Sequence, residues 1–184
     1  MKNLLIPIIL ISMLVFFTGC ETTTSRPYTA SMDNIISLQT NLNEKGVKAG
    51  IGEFTQSSNI GQLTCRLMGP IDVGQGKPAS EYIRSAIQTE LFTAGVYSSS
   101  GDVLINGHLE NLDFSSVSPA KWEIVFKVYS NKSDGFTVNT TYNFKTSYTA
   151  YKACENVADA FAPAVQQLIS DIIAHPDFDK LLGR

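Results

Sequence analysis

The first twenty residues decide the compartment in which the rest of this chain must fold. Met1–Lys2 gives a short basic end. Leu4 to Phe17 is apolar apart from Pro7 and Ser12, and the small residues Thr18 and Gly19 lead to Cys20. A charged start, an apolar stretch of about fourteen residues and a small-residue junction make a secretory signal. An uncleaved membrane anchor would need roughly 20 apolar residues, and this run falls short. The domain that follows is therefore expected outside the cytoplasm, where disulfides form and persist.

The junction Phe17-Thr18-Gly19-Cys20 resembles the lipobox of bacterial lipoproteins. Phe17 stands where that family more often carries Leu. The resemblance implies cleavage after Gly19, diacylation of the Cys20 sulfur and acylation of the new amine. One acyl chain holds a protein to a membrane only marginally, whereas two or more anchor it stably. The family's sorting rule retains proteins with Asp after the cysteine in the inner membrane. Glu21 follows here, which implies the outer membrane, with the domain facing the periplasm. Residues 1–19 are thus expected to be a cleaved signal peptide and residues 20–30 a lipidated tether. Residues 31–184 are then expected to form one periplasmic domain. The polar run Glu21 to Tyr28 has the composition of such a linker.

The chain has 184 residues, 43% of them apolar, and a net charge of −3. Loss of the leader removes one Lys and no acid, leaving about −4 on about 165 residues. This is enough chain to bury a sizeable core. Disorder is excluded, because it requires low hydrophobicity with high net charge. The acidic balance (pI ≈ 5.3) argues against a nucleic-acid binder, which needs clustered Lys and Arg to neutralise phosphates.

With Cys20 committed to lipid, Cys65 and Cys154 remain, an even pair in an oxidising location. They are expected to form a disulfide, the other arrangement being two separate buried thiols. Metal binding is disfavoured, because no CxxC and no Cys/His cluster accompanies them.

The rest reads as an α+β domain with an antiparallel sheet of four or five strands. Two or three helices should pack on one face of it. Ser31 is placed to cap a helix over Met32–Asn43, with Met32, Ile35, Leu38 and Leu42 on one face. Alternation predicts a strand from Val47 to about Phe54, polar turn material over Thr55–Gly61, and a second strand carrying Leu63, Cys65 and Leu67. Pro78 suits a first helical position, and Tyr82, Ile83, Ala86, Ile87 and Leu91 then repeat at threes and fours up to Gly95. Three strands follow. Val103, Ile105 and Leu109 share one face of the first, and the parity slips near Glu110–Asn111, as a bulge would make it. Trp122, Ile124, Phe126 and Val128 form the second stripe, and Phe136, Val138, Tyr142 and Phe144 the third. Asp134–Gly135 is placed in the hairpin connection. The last helix carries Cys154, Val157, Phe161, Val165, Leu168 and Ile172, with Pro163 expected to kink or split it and His175–Pro176 to end it.

Sites for chemistry are scarce. Gly69 to Lys77 invites a phosphate-loop reading, but the pattern needs Gly where Ile71 stands and Ser or Thr where Pro78 stands. His108 and Glu110 fall on the same strand face without a third group, and the zinc-deaminase H-x-E reading lacks its PCxxC partner. His175 reads as a helix-end residue facing the last carbonyls. No Ser lies in GxSxG. No catalytic residue, metal or cofactor is expected.

The nominally wet sheet face carries Val125 and Tyr129, with Leu104 and His108 nearby. These could form a shallow partner-binding patch, although isolated exposed apolar residues are also ordinary. The order of elements behind the lipobox loosely resembles small α+β envelope lipoproteins, such as the YajG-like proteins and the lipoprotein activators of peptidoglycan synthases. That resemblance implies a non-catalytic envelope protein that binds or assembles with another envelope protein. The alternative is a carrier holding lipid or glycan between sheet and helices. Against it, Trp122, Phe126, Phe144 and Phe161 supply enough bulk to fill such a space.

Overall fold

The computed structural model describes residues 22–43 and 46–184; the signal peptide, Cys20 and Glu21 lie outside the described residues. In chain order the elements are β1 (Thr23–Thr24), α1 (Met32–Leu38), β2 (Ala49–Gln56), β3 (Leu63–Cys65), β4 (Gly69–Asp72) and α2 (Ala79–Thr93). They continue with β5 (Val103–Ser115), β6 (Lys121–Ser130), β7 (Ser133–Asn143), α3 (Ala150–Ala174) and α4 (Phe178–Leu181). The α+β class holds. The main sheet has the order β2-β5-β6-β7, and a small second sheet has the order β1-β4-β3. The main sheet is not wholly antiparallel, because β2 runs parallel to β5. That pairing follows from the connection. A parallel pair needs a long crossover, and α2 lies between these two strands in the chain.

Alternate residues of the three long strands build the core. Ile105, Leu109, Ile124, Phe126, Val128 and Val138 are buried on the side covered by helices. Trp122 is fully buried at the centre, donates its indole N–H to the Val157 carbonyl of α3 at 2.9 Å, and packs on Phe161 and Phe114 at ring separations of 5.0 Å. The core face of β7 includes a polar residue, Thr140, whose hydroxyl donates to the Asp171 carboxylate of α3 at 2.6 Å. The slip of parity in β5 is a bulge between Leu109 and Asn111, which returns Leu112 to the core face. At Gly107 a β-carbon would lie 2.3 Å from Phe126 and 2.7 Å from Phe54, so only glycine lets these two rings meet above β5.

Several local expectations change in the folded chain. The first α-helix stops at Leu38 and continues as a wider turn over Gln39–Asn43. Leu38 and Leu42 are buried but Met32 is exposed, and the Ser31 side chain makes no capping bond. Leu67 belongs to a tight turn rather than a strand. The stretch after it forms β4, which pairs with both β1 and β3. The β6–β7 turn falls at Asn131–Lys132. Asp134–Gly135 sits inside β7, where Gly135 (φ +74°) passes so close to Val128 that a β-carbon would strike its carbonyl. Pro163 does not split α3, which runs through it from Ala150 to Ala174. Buried Phe161 and Val165 on either side hold both halves to the sheet, and this packing outweighs one missing backbone bond.

The largest revision concerns the segment expected to be a tether. Residues 22–30 are fastened to the domain along their length. β1 pairs with β4, and buried Ser25 donates to the Val73 carbonyl. Arg26 forms a two-bond ion pair with Asp159 at 2.7 and 2.8 Å, and its carbonyl accepts from the Tyr82 hydroxyl. The Thr29 carbonyl accepts from Gln166. Beyond it, the buried Glu90 carboxylate of α2 accepts from the Tyr28 hydroxyl at 2.5 Å, the Ser31 amide at 2.9 Å and the Asn34 side chain at 3.3 Å. Local polarity predicts a linker, but here the polar groups find partners on α2, α3 and β4.

Candidate interaction surface

Cys65 and Cys154 form the expected disulfide, with Cα atoms 5.8 Å apart. It ties the end of β3 to the first turns of α3. Immediately after it, Arg66 takes a left-handed backbone conformation (φ 50°) that residues with a β-carbon rarely adopt. Its guanidinium donates to the Ser116 carbonyl at 2.9 Å and hydroxyl at 3.2 Å, and to the Ser147 carbonyl at 3.4 Å. One side chain thereby joins the β3–β4 turn to the loops that follow β5 and β7. The sequence offered no signal for this role.

The two residues expected to form a partner patch, Val125 and Tyr129, lie on the uncovered face of the main sheet and are half-buried. Their register places Val125 opposite Asn111 and Asn139, and Tyr129 opposite Asn106. Around them, Thr137, Asn139, Thr141 and Asn143 of β7 project from the same face and are exposed. This face is uncharged toward β7 and carries Lys121, Glu123 and Lys127 along β6. Toward β2 it is flattened, since Leu104 and Asn106 lie over Gly50 and Gly52, where added β-carbons would meet them at 3.2 and 2.2 Å. The Asn106 side-chain oxygen accepts the Glu53 amide at 2.9 Å and so closes the irregularity in β2.

His108 sits on that face between two hydroxyls. Its Nδ1 is 2.7 Å from Thr55 Oγ1 and its Nε2 is 3.1 Å from Ser57 Oγ. Both ring nitrogens are engaged. Glu110 stands at the bulge and is not among its partners. His175 stacks flat on Phe136 at 3.8 Å, and its Nδ1 accepts the Asp177 amide. Its backbone N–H donates to the Ile172 carbonyl at the helix end, while its side chain bonds forward in the chain.

In the segment from Gly69 to Lys77, which is β4 followed by a loop, the Asp72 carboxylate accepts the amides of Gly74 and Gly76 at 3.1 and 2.7 Å. The donors that a phosphate would need are spent on the protein's own carboxylate. Beside this loop a solvent-open cleft of about 510 Å³ is lined by Gln56, Ile60, Leu63, Asp72 and Lys77. Between helices and sheet there is a cavity of about 20 Å³, lined by Leu42, Ile105, Val128, Ile169 and Glu90. Among the described residues there is no group of three or more His, Cys, Asp or Glu side chains placed to hold a metal ion, and no helix is long and apolar enough to cross a membrane.

Burial raises two phenols. The Tyr82 hydroxyl is pushed up to about 12 by desolvation. Tyr28 is raised further by burial first, then by its bond to Glu90 and the negative charge there.

No family description and no curated protein matches the chain. Among solved structures, a Xanthomonas campestris protein assigned to the family DUF330 aligns at 10% identity with a TM-score of 0.42, over 73% of this chain and 85% of its own. A protein described as uncharacterized aligns at 11% identity with a TM-score of 0.40, over 83% of this chain and 99% of its own.

Proposed function

We propose that this chain is a lipid-anchored envelope protein without catalytic activity, which uses the uncovered face of its main sheet to bind another envelope protein. In this reading Cys20 carries the acyl chains, Glu21 directs the protein to the outer membrane, and the domain faces the periplasm. The observation that carries the binding role is the placement of Val125 and Tyr129. Both sit half-buried on a sheet face that no helix covers among the described residues, with Lys127 between them along β6 and short uncharged side chains of β5 and β7 on either side. Such a face offers apolar contact from these two side chains together with hydrogen-bonding and charged groups around them, a mix that protein-binding surfaces use. The disulfide is consistent with an exported domain.

The alternative is a carrier of lipid or glycan. The interior space of about 20 Å³ is far below the roughly 300–1,000 Å³ of ligand pockets, so cargo would lie in an open surface cleft, such as the one beside β4, rather than between sheet and helices.

Two experiments test the reading. Metabolic labelling with a clickable fatty acid should mark the wild type and not Cys20→Ala; undiminished label in the variant would refute the anchor. Affinity capture from envelope extracts should recover a partner with the wild type and lose it with Val125→Glu or Tyr129→Glu. If the Glu variants complement a deletion phenotype while His108→Ala does not, the sheet-face reading fails and chemistry at His108 takes its place.

A further inference from the structure

We infer that the end of the domain bearing Leu67, Val117 and Tyr148 rests on the bilayer in which the protein is anchored; this rests on the lipoprotein reading of Cys20. The first observation is the clustering of exposed apolar side chains. Leu67 and Tyr148 are fully exposed (102% and 106%), and Met68, Val117 and Tyr151 are also exposed. All belong to the β3–β4 turn, the β5–β6 loop, and the segment from the end of β7 into α3. These segments meet at one end, because Arg66 bonds to both Ser116 and Ser147 while the disulfide pins the turn to α3. Large apolar side chains gathered on a braced frame differ from the scattered ones normal on surfaces. Tyrosines at such a rim suit the headgroup region, which takes an apolar ring and a polar tip together.

The second observation is where the chain enters. β1 runs parallel to β4, with Thr23 opposite Ile71 and Thr24 opposite Asp72. Going backward from Thr23 therefore leads toward Gly69 and the Leu67–Met68 turn. Only Glu21 and Thr22 separate Cys20 from Thr23. A fully extended chain covers at most ~3.6 Å per residue, so Cys20 lies within about 11 Å of Thr23. Residues 22–30 are bonded to the domain and supply no slack. An acylated Cys20 thus places the exposed apolar end within reach of the membrane surface, and shallow insertion of ~5–10 Å would cover its side chains. The strands of the main sheet then rise from the bilayer, and the face bearing Val125 and Tyr129 looks sideways into the periplasm.

The test uses the natively acylated full chain reconstituted in phosphatidylethanolamine–phosphatidylglycerol vesicles with brominated acyl chains. Intact mass first establishes acylation of Cys20. The native Trp122 is buried and serves as background. Leu67→Trp and Tyr148→Trp each add a reporter at the apolar end, and Lys132→Trp adds one at the opposite end. At least half of the added emission should be quenched in the first two and none in the third. An acylated protein whose Leu67→Trp emission is quenched no more than that of Lys132→Trp overturns the inference and leaves the anchor intact. A blue shift without quenching that grows with protein density would assign this end to a second copy and also overturn it. Absence of acylation overturns the anchor and the inference together.

Discussion

Two ties in this domain join segments far apart in the chain, and they do so by different chemistry. At the apolar end, Cys65–Cys154 and Arg66 fasten a turn to α3 and to two loops. In the other half, the buried Glu90 carboxylate gathers Tyr28, Ser31 and Asn34 against α2. The first tie constrains the unfolded chain as well as the folded one, because a covalent bond survives unfolding. The second exists only in the folded state, and it depends on three donors arriving at one oxygen of a group that is costly to bury. Its other oxygen, Oε2, has no protein partner. The disulfide end can therefore carry exposed apolar side chains without loosening, whereas the N-terminal segment is held by polar geometry that small changes disturb.

Reduction should separate the two ties most clearly. A disulfide closing a loop of about 90 residues is worth at most ~4–5 kcal/mol in the chain-entropy model. Urea unfolding with and without reductant should show a loss of up to that size, and the intact protein should show no free thiol when unfolded. Modification of both Cys65 and Cys154 in the absence of reductant would contradict the bond.

Glu90→Ala should cost somewhat less, about 3 kcal/mol, because it strands the Tyr28 hydroxyl and the Ser31 amide and leaves the Asn34 side chain with the Gln166 carbonyl alone. Glu90→Gln keeps an acceptor and should retain most of the stability. Hydrogen exchange in Glu90→Ala should rise around residues 25–35 and stay unchanged near Cys65; uniform loss of protection would erase the distinction between the two ties.

Tyr28→Phe should cost about 1–2 kcal/mol for the lost bond to a carboxylate. It also bears on alkaline stability. Burial holds the Tyr28 and Tyr82 phenols above their ordinary value of 10, so the folded state keeps protons that the unfolded state releases. Stability from this source is whole below about pH 10 and declines as pH rises toward the Tyr82 value of about 12. Unfolding measured between pH 8 and 11.5 should show a shallower decline in Tyr28→Phe than in the wild type. Equal slopes would assign the effect elsewhere.

The smallest expected effect on stability is at the open sheet face. Val125→Glu and Tyr129→Glu should shift unfolding by no more than ~0.5–1 kcal/mol, since neither side chain lies in the core. A larger loss in thermal unfolding would mean that these residues hold the sheet together rather than face a partner.

Strict alternation made the three long strands and their inward residues legible from sequence. A side-chain period of two leaves one register that buries Trp122, Ile124, Phe126 and Val128 together. The same parity argument located the bulge near Asn111. Helix α2 was legible from its three-and-four spacing and the glycine that closes it at Gly95. The pairing of Cys65 with Cys154 was legible from the even pair left once Cys20 is assigned to lipid and the chain is expected outside the cytoplasm. On the candidate surface, Val125 and Tyr129 were placed correctly on the uncovered face, because alternation alone assigns faces.

Tertiary structure decided the rest, and each case has the same physical origin: the deciding partner lies far along the chain. The polar stretch from Thr22 to Ala30 has a linker's composition, yet Asp159, Tyr82 and Gln166 bind it to the domain. β4 is too short to announce itself and exists because β1 and β3 flank it on both sides. The parallel pairing of β2 with β5 is set by the α2 crossover, not by any pattern within either strand. Pro163 argues locally for a broken helix, and burial of the turns around it keeps α3 continuous. Arg66 carries no sequence mark at all, since its importance comes from carbonyls 50 and 81 residues away. Periodicity and spacing report on what a segment does with its own neighbours, and long-range hydrogen bonds and packing are formed only when the whole chain has folded.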